Sequence, residues 1–228
     1  MIIPRSLLTW FASGIFGIVS TVALCQSPKQ QETSSPSKRD RADTLIQKAL
    51  ERFAAEDFKG NVQLLKEAAT IDPTNPRVWW KLCEAYQLTD EMNLAIDACK
   101  RNLEINPGGI SHNSLGLVYL AQKDYAHAAQ EFDKAIADSA APPIIYQNLV
   151  FALFGSKQYE KAATSAQRFI EVSAGDPSNV KLGYEMLGVA HDKMDRKTEA
   201  QKAFAKAGFV SCQIGSNDKG NLSIDCHN

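Results

Sequence analysis

The residues that could do chemistry are few. The 228-residue chain carries five cysteines (Cys25, Cys83, Cys99, Cys212, Cys226) and four histidines (His112, His127, His191, His227). Cys226 and His227 could offer two metal ligands, but adjacent residues lack the spacing of a structural zinc site. No phosphate-binding glycine loop, no G-x-S-x-G and no H-E-x-x-H is present. The carboxylates Glu51, Glu84, Asp97 and Glu131 fall on polar faces of helical stretches, where solvation is expected. The sequence therefore predicts no catalytic residue, no metal and no cofactor. What remains is cysteine pairing. If Cys25 departs with the N-terminus or carries a lipid, four cysteines are left, and an even number in an exported chain invites disulfides. Cys212 and Cys226 bracket a tail with little else to hold it. Closing a loop of that size contributes about 3 kcal/mol, so a bridge is expected there. Cys83 and Cys99 face each other across a pair of helical stretches, but about one turn off the closest pairing. They are expected to be buried free thiols.

The elements that would position such residues recur along the chain. Leu82, Leu115, Leu149 and Leu187 step by 33, 34 and 38 residues; so do Tyr86, Tyr119, Leu153 and His191, and so do Ala95, Ala128, Ala162 and Ala200. In Trp79-x2-Leu82-Cys83-x2-Tyr86 the anchors fall at i, i+3, i+4 and i+7, one face of an α-helix. Short polar turns at Thr89-Asp90-Glu91, Lys123-Asp124 and Lys157-Gln158 separate each such helix from a second one. Small residues (Cys83, Gly116, Gly188, Ala95, Ala128, Ala162, Ala200) stand where the two helices must approach, and Phe132 and Phe204 fill the space beside them. Glycine in mid-helix costs about 1 kcal/mol relative to alanine, so Gly116 and Gly188 answer a steric need. Val150 and Ala166 exchange the volumes of that pair in another unit. Asn75 is the expected N-cap before Pro76 in a first turn.

A period near 34 with a small residue after the leucine, an alanine in the second half and a proline at the end resembles the tetratricopeptide repeat (TPR). The resemblance covers 42–207. It implies an all-α, right-handed superhelical solenoid of about five helix-turn-helix hairpins. The first unit departs from the pattern, with Lys48 and Arg52 in apolar slots and Asn61 for alanine, as befits a terminal cap. A stripe of Leu45, Ile46, Ala49, Leu50 and Phe53 fits it equally well. Four extra residues fall around 173–179, which predicts an altered angle for the last hairpin. His112 and His191 take aromatic slots and read as core or groove residues, while His127 is expected on an exposed face.

In TPR proteins the first helix of each hairpin lines a concave surface. Carried over by alignment, the groove would comprise Trp80 and Glu84; Asn113, Leu117 and Leu120; Gln147, Asn148, Phe151 and Phe154; and Met186 and Val189, with Glu185 and Asp192 beside them. Rings and aliphatic chains flanked by amides suit an extended or helical peptide. The lysine and asparagine clamp for a C-terminal carboxylate is missing, since Trp80 and Glu84 stand in its place. Two classes of function remain: a non-catalytic scaffold binding a protein or peptide, and an exported enzyme or enzyme accessory whose site the motifs do not reveal. The lack of a convergent nucleophile, base or metal set favours the first.

The flanks complete the organisation. One arginine precedes the uncharged run 6–25, the pattern of a secretory signal. Three fates are open: cleavage near Ala23–Cys25, lipidation of Cys25 in Val22-Ala23-Leu24-Cys25, or retention as a membrane anchor over 6–25. Export to the periplasm, envelope or exterior is expected in each. Residues 26–41 contain no aliphatic or aromatic residue and are expected to be a disordered linker; 208–228 are expected to be an irregular cap. A net charge of −1 and the lack of a long Lys/Arg run argue against nucleic acid as the main partner.

Overall fold

A computed structural model describes residues 35–137, 141–217 and 221–227. The leader, Cys25 and residues 26–34 lie outside the described residues. Within them ten helices follow one another: α1 (Lys38–Ala54), α2 (Phe58–Ile71), α3 (Pro76–Leu88), α4 (Met92–Ile105), α5 (Gly109–Ala121), α6 (Tyr125–Ala135), α7 (Pro143–Gly155), α8 (Tyr159–Val172), α9 (Pro177–Lys193) and α10 (Lys197–Ala207). They pair as five hairpins, α1 with α2 through α9 with α10. Each second helix packs on the first helix of the next hairpin, and the first helices α3, α5, α7 and α9 touch in series. This is a helical-repeat solenoid.

The repeat register is written into the turns. Glu56, Asp90, Lys123, Lys157 and Asp195 all adopt a left-handed backbone, with φ between 58 and 61°. They are spaced as the leucine anchors are. At each turn two backbone bonds close the helix: Asp90 N–H donates to Gln87 O at 3.3 Å and Glu91 N–H to Tyr86 O at 2.8 Å, and the same pair recurs around Lys123, Lys157, Asp195 and Glu56. This is the Schellman closure, which satisfies carbonyls that the helix end would leave orphaned.

Two apolar clusters form the core, and Tyr119 packs on both. Between the helices of a hairpin the small and large residues are complementary. A β-carbon on Gly188 would lie 2.3 Å from Phe204 Cε1. Cys83 and Cys99 occupy the same two slots in their hairpin, with Cα atoms 5.1 Å apart, and are bridged. The expectation of free thiols is corrected by that placement: the slots that hold a glycine against a ring elsewhere are facing positions, within disulfide reach.

The first unit keeps the common register. Ala49 and Leu65 fill its facing slots, Lys48 and Arg52 point to solvent, and Phe53 is 46% exposed. Asn61, buried in the alanine slot, donates from Nδ2 to Ala49 O at 2.7 Å. Asn75 is the N-cap of α3, its side chain accepting from Arg77 N–H. The four extra residues of the last unit extend a helix: α9 has 17 residues where α3, α5 and α7 have 13.

Two boundaries differ from expectation. The linker expected to run to residue 41 ends earlier, because Ser37 and Asp40 form a capping box that starts α1. The cap expected to be irregular is an antiparallel hairpin, β1 (Ser211–Ser216) with β2 (Leu222–His227), in which Cys212 faces Cys226, Ile214 faces Ile224 and Ser216 faces Leu222. The apolar residues Ile214, Leu222 and Ile224 pack on the core cluster below. Cys212 and Cys226 are bridged, as the tail composition predicts.

Candidate functional site

The first helices α3, α5, α7 and α9 set their inner-face residues side by side, because one solvent-facing stripe of each points the same way in every repeat. Of the residues the sequence assigns to the groove, Trp80 and Glu84 lie on α3, Asn113, Leu117 and Leu120 on α5, and Gln147, Asn148 and Phe151 on α7. All keep accessible surface, and Leu117 is 37% exposed. At its α3 end Lys81 Nζ stands 4.1 Å from the Trp80 ring centre and pairs with Glu84 at 2.8 Å.

Three assignments are corrected. Phe154 is 3% exposed, and Met186 and Val189 are fully buried, so they belong to the core cluster that includes the packing surface of the C-terminal hairpin. The inner-face carboxylate Glu185 is half-buried on the same helix; burial pushes its carboxyl up, against the opposing pull of Lys181. Glu131, read as a solvated carboxylate, is also buried, at 8% exposure. Burial would push its carboxyl up, but hydrogen bonds from Lys134 (2.7 Å) and contact with His112 Nδ1 (2.7 Å) outweigh this and hold it below the usual range.

The groove amides are unengaged. The side chains of Asn113, Gln147 and Asn148 make no hydrogen bond to another described residue, whereas Gln87 donates from Nε2 to Cys83 O. The Oδ1 of Asn113 is buried without a donor, a state that costs about 1–3 kcal/mol when nothing relieves it.

What the sequence reading missed is the far end of the groove. A cavity of about 250 Å³ is lined by Leu117, Leu120, Tyr125 and Phe151 from the repeats and by Asn221 and Leu222 from the hairpin. The signal was there in Leu222-Ser-Ile224-Asp-Cys226, whose period of two marks a half-buried strand. Among the described residues no group of three His, Cys, Asp or Glu gathers as a metal site requires. No described helix is long and apolar enough to cross a membrane.

Comparison with known proteins agrees with this architecture. Residues 111–137, which hold nearly all of α5 and α6, match the family model of the tetratricopeptide repeat. Among solved structures the chain is similar to a crystal structure of MamA protein, 20% identical over 74% of this chain and 91% of that one, with a TM-score of 0.66. It is also similar to MamA, residue 41 to the end, from Desulfovibrio magneticus RS-1, 19% identical over 74% and 94%, TM-score 0.65. No curated protein matches in sequence. The described repeats thus form a tetratricopeptide-like helical solenoid, one unit of which matches the family model.

Proposed function

We propose that this protein is a non-catalytic scaffold that holds a protein or peptide segment in its concave groove. The observation that carries the reading is the row of unengaged amides, Asn113, Gln147 and Asn148, on adjacent helices α5 and α7, flanked by Trp80, Leu117 and Phe151. A peptide backbone presents a donor and an acceptor at every residue, which is what free carboxamides bind, while rings and aliphatic chains hold its side chains. The TPR fold supports protein binding in general, and nothing in the groove favours a small charged substrate.

The place of action belongs to the same proposal. The signal-like N-terminus and the two disulfides support an oxidising compartment, the cell envelope or exterior, since such bridges are rare in reducing cytosol. Attachment to a membrane, where it occurs, runs through the N-terminal segment alone.

The test is binding. Proteins retained by the immobilised chain are identified, and the affinity of the purified partner is measured for Trp80→Ala, Asn113→Ala and the outer-face control Lys100→Ala. Loss of an anchor costs at least about 2 kcal/mol, tens-fold in affinity, so the first two weaken binding and the third does not. Wild-type affinity in folded groove variants would overturn the reading.

A further inference from the structure

The C-terminal hairpin lies across the inner helices. β1 packs on α9 and α10, β2 packs on α9, and Asn221 and Leu222 at the other end of the hairpin line one cavity with Leu117 on α5 and Phe151 on α7. The hairpin therefore spans three successive first helices, on the face that binds ligands in the reading above. The corrected residues fit this placement: Met186 and Val189 stand on α9 at inner-face positions and are fully buried.

The hold is apolar. Ile214, Leu222, Ile224 and Cys226 pack on the core cluster but stay partly accessible, and among the described residues of the hairpin only Cys212 is buried outright. Among the described residues of the hairpin, Asn217 aside, the side-chain hydrogen bonds stay within it: Asn221 N–H donates to Asn217, and Ser223 Oγ to Asp225. A two-stranded hairpin is marginal in water by itself. Its integrity rests on the groove beneath it and on the Cys212–Cys226 bridge that closes its ends.

We propose that the hairpin is a built-in, displaceable occupant of the C-terminal half of the groove, with the Cys212–Cys226 bridge as its latch. In the latched state a partner has the groove from Trp80 and Glu84 to Asn113 and Asn148; in the unlatched state it gains Met186 and Val189 and the covered part of Phe151. The latch opens by thiol exchange with a dithiol. One thiolate of the dithiol attacks a sulfur of the bridge and the other resolves the mixed disulfide. Two electrons enter the bridge, Cys212 and Cys226 take up the two protons as thiols, and the dithiol departs as its own disulfide. This rests on the groove reading, but its test uses no partner, so each can fail without the other.

The probe is methionine oxidation by hydrogen peroxide, read residue by residue by mass in the full chain. Met186 is shielded in the bridged protein, whereas Met92, on α4 and far from the hairpin, is partly accessible and reports global unfolding. In Cys212→Ser/Cys226→Ser, with the Cys83–Cys99 bridge intact, Met186 is expected to oxidise about tenfold faster or more through local opening, with Met92 unchanged. The oxidised synthetic peptide of residues 209–228, added in trans, is expected to restore the shielding. Leu222→Asp, which lifts the hairpin while leaving the bridge, gives the same exposure. The proposal is overturned if Met186 stays shielded in both variants, if Met92 accelerates in step with it, or if the peptide protects nothing.

Discussion

Gly116 on α5 lies flat against the ring of Phe132 on α6: a β-carbon there would stand 2.7 Å from Cε1 and 2.9 Å from Cδ1. Phe132 is fully buried, with no solvent side to yield toward. Gly116→Leu is therefore expected to destabilise by about 1–3 kcal/mol or more, the cost of forcing volume into a packed core. His127→Ala, on an exposed face, changes stability by less than about 0.5 kcal/mol. Urea melts compare them; equal midpoints would show that the two helices do not meet at Gly116.

The turn residues predict a gain. Lys157 holds a left-handed backbone with φ 59°, which strains a side chain by roughly 1–2 kcal/mol and a glycine not at all. The protein already uses glycine for the same closure after α10, where Gly208 has φ 82° and Phe209 N–H donates to Phe204 O. Lys157→Gly is expected to stabilise by about 0.5–1 kcal/mol after the extra chain entropy of glycine is subtracted. A lower denaturation midpoint would contradict the Schellman closure there.

Most of the solenoid is legible in the sequence because its determinants are local. Leucine, small residue and aromatic recur within one helix, and Asn75-Pro76 marks a start by chemistry confined to a single turn. What escapes is set by partners distant in the chain. Leu222 lines a cavity with Leu117, more than a hundred residues away, and two strands with few apolar residues each make a weak pattern. Glu131 sits on an apparently polar face, yet His112 of the preceding helix draws it inward. Cys83 and Cys99 were readable as core slots; that these slots face one another follows only when they are aligned with Gly116 and Phe132. Met186, Val189 and Phe154 carry inner-face spacing, and periodicity alone does not say what packs over it.

Glu131 predicts an acid-sensitive contribution to stability. Its folded carboxyl is held below its unfolded value, so its contribution is present above the unfolded value of about 4.5 and is lost as pH falls through the folded value. Glu131→Gln weakens the bonds to Lys134 and His112 and is expected to cost roughly 1–2 kcal/mol at pH 6. The gap between variant and wild type should narrow as pH falls below about 4.5 and close once it is below the folded value. Urea melts at pH 6, 5, 4 and 3 decide it; a gap independent of pH would mean the carboxylate is not charged in the folded protein.

The two disulfides predict different consequences for the same loss. Cys83–Cys99 ties α3 to α4 in the middle of the array, with a sequence separation of 16, and both are in the core. Cys212–Cys226, separated by 14, closes a hairpin that meets the repeats mainly through α9. Loops of this size each give about 3 kcal/mol by restricting the unfolded chain, but that stabilisation reaches the whole fold only where the loop unfolds with it. Cys83→Ala/Cys99→Ala is therefore expected to lower global stability by about 3 kcal/mol, with more lost where alanine leaves core space. Cys212→Ser/Cys226→Ser should shift the global transition by less than about 1 kcal/mol, because the hairpin opens as a local unit. Non-reducing peptide mapping of protein folded under oxidising conditions should first find these two pairs and no others. The reverse order of stability, with the tail variant the weaker, would make the hairpin part of the cooperative core, and a displaceable occupant of the groove would then be excluded.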